Sequence, residues 1–120
     1  MVTRLATYGS LGPGRPNHHH LAMLNGQWSK GWVRGRLRNE GWGAGQGFPG
    51  LVLDPAGEVI TVDLLTSQDL PDHWARLDAF EGSEYRRVLT EVTTPEGDFE
   101  AHIYVLASAW IDTLAKTASP

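Results

Sequence analysis

The chain contains no cysteine. Disulfides, thiolate-held zinc and cysteine nucleophiles are thereby excluded. No apolar run approaches the ~20 residues that a membrane-spanning helix needs. The N-terminus also lacks the apolar stretch of a signal peptide, so a soluble, cytoplasmic protein is expected. Positive charge is scarce: 10 Lys and Arg stand against 14 Asp and Glu, a net charge of −4. That balance disfavours a broad basic surface and nucleic-acid binding with it. What is present is 120 residues with 41% hydrophobic content, ordinary for a globular protein and enough for one domain with a single core. Neither an internal repeat nor a linker divides residues 1–120, so one domain is expected throughout.

Glycine and proline punctuate the chain. Val2–Tyr8 reads as a short strand that stops at Gly9-Ser10, followed by a breaker-rich loop through Asn17. Successive backbone N–H groups at such a strand end can form a small anion-binding nest, and a plain turn is the alternative. Asn17 is placed to cap a helix over His18–Leu24 with Leu21 and Leu24 inward. Within it, the adjacent imidazoles of His18, His19 and His20 point in different directions and converge poorly on one metal ion. Trp28–Arg38 has the pattern of a half-buried strand. Val33, Gly35 and Leu37 face inward and Arg34, Arg36 and Arg38 face out, where they form a solvated row or an anion contact. Asn39–Gly50 is too glycine-dense for a regular element and carries Trp42 and Phe48, which either close over a ligand or plug the core.

Leu51–Leu53, the turn Asp54–Gly57 and Glu58–Leu65 read as a hairpin. Ser67–Pro71 opens a helix through Trp74 and Leu77 to Phe80. Tyr85–Thr93 and Phe99–Leu106 form a second hairpin about the turn Thr94–Gly97, with Ala101, Ile103 and Val105 on one face. A short helix at Trp110–Leu114 and a frayed tail from Thr117 to Pro120 complete the chain. Hairpin-connected strands with two or three short helices indicate an α+β fold. The strands suit a small, mixed but mainly antiparallel β-barrel, because closure removes exposed edges.

The stretch Leu77-Asp78-Ala79-Phe80-Glu81-Gly82-Ser83-Glu84-Tyr85-Arg86-Arg87 joins a helix to a strand. Trp74, Leu77 and Phe80 share an apolar helix face, and Gly82 ends the helix. Glu81 lies beside that face. Most helix-end carboxylates are solvated, yet one that is partly desolvated has a raised pKa and can carry protons near neutrality.

Two separated pieces resemble one family. Tyr8-Gly9-Ser10-Leu11 resembles the Tyr-Gly-(Ser/Thr)-Leu signature of the gamma-glutamylcyclotransferase-like (AIG2-like) family. Leu77–Gly82, followed by Tyr85 and Arg86, resembles its second signature, and Asn17 after a Gly/Pro-rich loop also fits. The chain departs at Ile60–Leu65, where many members carry a Gly-Glu pair. The resemblance implies a metal-independent, cofactor-free cyclisation. The α-amine of a gamma-glutamyl compound attacks its own γ-amide carbonyl, giving 5-oxoproline and releasing an amine or amino acid. It assigns Glu81 as general acid/base. Tyr8, Gly9, Ser10 and Leu11 are assigned as the cradle of the gamma-glutamyl group. Tyr85 and Tyr104 are candidates for lining the pocket or packing the core. Glu84 is the rival carboxylate, expected in solvent, and His102 is expected to be a satisfied or exposed strand histidine. Arg36 or Arg38 is a candidate partner for a leaving-group carboxylate. A monomer or weak homodimer is expected. Because the family is functionally mixed, a non-catalytic binding module that keeps the pocket is the alternative.

Overall fold

β2 (Gln27–Arg38) is the strand on which the barrel closes. One edge pairs antiparallel with β4 (Glu58–Thr66) along most of its length. β4 pairs antiparallel with β1 (Arg4–Thr7), and β1 runs parallel to β6 (Gly97–Leu106). β6 forms an antiparallel hairpin with β5 (Tyr85–Thr94), which returns to β2 where Trp32 meets Thr93. These five strands form a closed ring, and β3 (Gly50–Leu53) pairs with the remaining part of the second β2 edge. The computed structural model describes residues 2–108, so the expected Trp110–Leu114 helix and the tail lie outside the described residues. The barrel is mixed and mainly antiparallel, as expected, with two short helices, α1 (His19–Ala22) and α2 (Trp74–Glu81). Two 3-10 turns, Trp42–Gln46 and Leu70–His73, complete the described elements.

Strand alternation sorts the apolar residues into two layers. Ala6, Val33, Val62, Leu64, Val92, Ala101 and Ile103 cluster together, every second residue along their strands, and fill the barrel. Their neighbours of opposite parity, Leu5, Leu65 and Tyr104, point outward and are also buried. They are covered by Leu21, Leu70 and Leu77 from the helical segments, with Trp74 and Phe80 at the margin. Trp74, Leu77 and Phe80 thus share one face, and it docks α2 on the outside of the barrel.

Three expectations are corrected. Residues 51–65 do not form a hairpin. β3 and β4 lie on opposite edges of β2, both antiparallel to it, so the chain crosses β2 in the Asp54–Gly57 turn. The crossing is at Gly35, which pairs with Leu53 on one side and Glu58 on the other. A Cβ on Gly57 would overlap the Gly35 backbone, so the crossing requires glycine there. Local turn chemistry was compatible with either route; the long strand β2 supplied both partners. Asn17 does not cap α1. Its side-chain amide donates to Ser10 Oγ at 2.9 Å, and its backbone N–H donates to Ser10 O at 2.8 Å. Leu37 is 41% exposed, at the end of β2 beyond Gly35, where the pairing with β4 stops. Arg34, Arg36 and Arg38 do form the solvated row. Arg36 and Arg38 pair with Asp54 and Glu40, and Arg34 donates to Gly57 O.

Candidate active site

Glu81 is the last residue of α2. Gly82 follows with φ +80° and donates its N–H to Asp78 O at 3.0 Å, so the chain turns away immediately. Leu77, one turn earlier on the same helix face, is fully buried. The face that anchors the helix therefore also draws Glu81 in. Its carboxyl makes no hydrogen bond or ion pair among the described residues. Burial alone acts on it and pushes its pKa from the ordinary 4.5 up to about 7. Glu84, past the glycine, is exposed.

Glu81 opens onto a small cleft at one end of the barrel. Tyr8, Gly9, Ser10 and Leu11 form one wall, and Tyr85 and Tyr104 contribute to another. Glu81, the Tyr8–Leu11 segment, Tyr85 and Tyr104 thus line one cleft. The Leu11 side chain, 5% exposed, belongs to the outer core. Asn17 braces Ser10 through both bonds described above, which fixes the turn after β1.

The tyrosine hydroxyls are not equivalent. Tyr8 donates to Tyr104 O at 2.7 Å and accepts from Leu51 N–H at 3.1 Å, tying β6 to β3 across the barrel end. Tyr104 donates to Asp78 Oδ1 at 2.6 Å. Asp78 in turn receives Arg87 Nε at 2.8 Å and a second guanidinium nitrogen at 3.2 Å. Burial alone would raise the Asp78 pKa; the hydrogen bonds from Arg87 and Tyr104 outweigh it and hold the carboxyl below its ordinary range. His102 sits beside Arg87 Nη1 at 3.0 Å and against the Trp74 ring, a satisfied strand histidine. Tyr85 accepts from Gly43 N–H at 3.2 Å, and its own proton meets no acceptor among the described residues. Burial raises the pKa of all three phenols, and the charge of Glu81 adds to it.

The remaining wall is the 42–49 segment, through Trp42, Gly43, Phe48 and Pro49. Neither Arg36 nor Arg38 lines the cleft, so the expected contact with a leaving-group carboxylate is not made; both are held on the outer face. No Lys or Arg is among the cleft-lining residues. The three histidines do not converge on one point: His18 Nδ1 lies 3.0 Å from Leu11 O, while the His19 and His20 rings lie 4.3 Å apart and His20 stacks on Phe80 at 3.9 Å. Among the described residues no group of three or more His, Asp or Glu is arranged to hold a metal.

A family sequence model described as gamma-glutamyl cyclotransferase, AIG2-like, matches residues 5–119. The chain belongs to the AIG2-like gamma-glutamyl cyclotransferase family. YkqA of Bacillus subtilis is 25% identical and superposes with a TM-score of 0.69. That match covers 100% of this chain but 44% of YkqA, so the chain spans less than half of that protein. An AIG2-like protein of Mus musculus is 23% identical over 88% of this chain and 78% of its own, with a TM-score of 0.65. An uncharacterised protein of Pyrococcus horikoshii is 20% identical over the full length of both chains, with a TM-score of 0.60. The last two likenesses establish the fold. No curated protein matches the chain.

Sequence reasoning about this AIG2-like chain missed Asp78 and Arg87 as the support of Tyr104, and the attachment of the 42–49 segment to Glu81 and Tyr85. Asp78 stood inside the recognised motif, but Tyr104 is distant from it in sequence. The Tyr8 hydroxyl gives a testable case. Removing it in Tyr8→Phe leaves the Leu51 N–H and the Tyr104 C=O without their partner, which costs about 1–3 kcal/mol. A urea titration of the AIG2-like chain should show a lower midpoint with an unchanged m-value.

Proposed function

We propose that this AIG2-like protein cyclises a gamma-glutamyl amide to 5-oxoproline with release of an amine or amino acid, with Glu81 as general acid/base. The observation that carries this reading is the Glu81 carboxyl, desolvated and without a partner among the described residues, in a cleft lined by the Tyr8–Leu11 segment. The ionised carboxylate takes a proton from the substrate's α-ammonium. The freed α-nitrogen attacks the γ-carbonyl carbon of the same molecule, and a tetrahedral intermediate forms. Glu81 then returns the proton to the amide nitrogen, the C–N bond breaks and the amine leaves; the second proton of the former ammonium, carried by the ring nitrogen, passes to the released amine, which departs as an ammonium. Atoms and protons balance without water, redox change or a covalent enzyme intermediate. Holding the substrate folded supplies much of the acceleration, because a positioned internal nucleophile has a very high effective concentration. The Tyr8–Leu11 backbone N–H groups cradle the gamma-glutamyl end. The free proton of Tyr85 suits the developing oxyanion.

The test is incubation with a panel of gamma-glutamyl amines and gamma-glutamyl amino acids, reading 5-oxoproline and the released amine together. Stoichiometric release of both is expected. Saturable binding with no ring product would instead make the chain a binding module of the same fold. Because no Lys or Arg among the described residues lines the cleft, leaving groups without a carboxylate should be accepted at least as well as those with one. The acid limb of kcat/KM should fall with a midpoint near pH 7, since only ionised Glu81 accepts the proton and its pKa is about 7. A midpoint near the ordinary carboxyl value would count against Glu81 as the base.

A further inference from the structure

The glycine-rich segment that walls the cleft is fastened to the helix–strand junction at two adjacent points. Trp42 Nε1 donates to Glu81 O, the last carbonyl of α2, at 2.7 Å. One residue on, Gly43 N–H donates to the Tyr85 hydroxyl at 3.2 Å. The two anchors flank the Gly82–Glu84 turn, one on the end of α2 and one on the start of β5. The Trp42 ring stands edge-on to Phe80 at 5.3 Å and to Tyr85 at 6.1 Å, so it packs on both neighbours of the Glu81 junction. Gly41 permits the approach: its φ is +85°, and a Cβ there would clash with the Tyr85 hydroxyl. A helix-terminal carbonyl has no partner within its own helix, so the indole N–H satisfies a group that would otherwise need water.

We propose that Trp42 is a positioning residue for Glu81: its indole holds the end of α2 and its ring keeps water from the Glu81 side of the cleft. The same segment that forms the ligand wall thereby sets the environment of the acid/base. This rests on the reading of Glu81 as proton carrier, but its test does not require turnover. The ionisable groups coupled to Glu81 from the packed elements are Tyr8 on the β1 end, Tyr85 on β5 and Tyr104 on β6, all of which stay neutral near pH 7. Water access is therefore the main variable that Trp42 controls there. Trp42→Phe removes the N–H and shrinks the roof while leaving an aromatic ring against Phe80.

The experiment is a carbon-13 NMR titration of the Glu81 carboxyl in the ligand-free protein, wild type against Trp42→Phe, with circular dichroism to confirm the fold. Glu81 should titrate near 7 in the wild type, and in the variant lower by about one unit or more, a roughly tenfold loss of proton affinity. An unchanged midpoint in a folded variant overturns the proposal. If the variant does not fold, the wild-type Trp42 indole proton decides. Hydrogen exchange slower than that of a free indole, and a chemical shift that moves with the Glu81 titration, support the clasp; free-indole exchange overturns it. A shifted midpoint in a protein that releases no 5-oxoproline would sink the catalytic reading and leave the positioning role intact.

Discussion

Glu81→Gln should lower turnover of gamma-glutamyl substrates by about 10²–10⁴-fold, the usual contribution of a positioned acid/base, and should leave substrate binding nearly unchanged. Gln keeps the size and polarity of the side chain but cannot take the α-ammonium proton or return one to the leaving nitrogen. Steady-state and single-turnover assays of 5-oxoproline formation measure this. A variant as fast as wild type would remove Glu81 from the mechanism. The same substitution should stabilise the protein at alkaline pH. Folded Glu81 ionises near 7 and an unfolded glutamate near 4.5. Between those values the unfolded chain has released a proton that the folded chain still holds. Stability therefore falls as pH rises from 4.5 to 7, then stays level. Gln carries no such penalty. At pH 8 the variant should be more stable by on the order of 2 kcal/mol, allowing for solvent screening of a half-buried group. At pH 4 the charge-linked difference should vanish. Urea titrations at the two pH values test the sign directly. A gain at pH 4 equal to that at pH 8 would show that the desolvated charge is not its cause.

Leu77→Ala should cost about 2–5 kcal/mol. Leu77 is 0% exposed, at the centre of the outer core with Leu5, Leu21, Leu65 and Leu70. Truncation removes its transfer free energy and leaves a cavity that the strand pair β1–β4, fixed by its register, cannot collapse into. A small domain has roughly 5–15 kcal/mol in total, so the loss is a large share of it. With about 4–8 °C per kcal/mol for a chain of this size, the Tm should drop by about 10 °C or more. Leu89, 50% exposed on β5, is the control: Leu89→Ala should stay within about 0.5 kcal/mol. Leu77 also fixes the helix that delivers Glu81. Activity measured well below the variant's Tm should fall as well, because a 1 Å misplacement of the acid/base is costly.

The Tyr8 case follows the same reasoning at smaller scale. Its ring lines the cleft, but its hydroxyl is spent on Leu51 and Tyr104. Part of what a site motif specifies is therefore the shape of the barrel end. Asn17 and Asp78 behave alike: each sits near or within a recognised motif, and each works by bracing a neighbour, Ser10 in one case and Tyr104 in the other.

Local features were legible because local physics sets them. Alternation in β2 and β6 marked which residues point into the barrel. Thr94–Gly97 marked a hairpin, and β5 and β6 pair along it from Tyr85 and Leu106 to Thr94 and Gly97. Gly82 marked the end of α2, and the spacing of Trp74, Leu77 and Phe80 marked its buried face. Glu81 and the Tyr8–Leu11 turn could be picked out as a pair by their resemblance to a family. What they face was decided in three dimensions. The segments around Asp54–Gly57 carry the signal of a hairpin, yet β2 is long enough to take both strands on opposite edges, and pairing energy does not depend on proximity in sequence. Whether Glu81 is solvated depended on α2 docking against β1 and β4 and on the 42–49 segment closing beside it. Desolvation is the sum of everything packed around a group, and here it comes from residues tens of positions away. Trp42 and Glu81, Gly43 and Tyr85, and Tyr104 and Asp78 are likewise remote in the chain, and only the folded barrel brings them within hydrogen-bond reach.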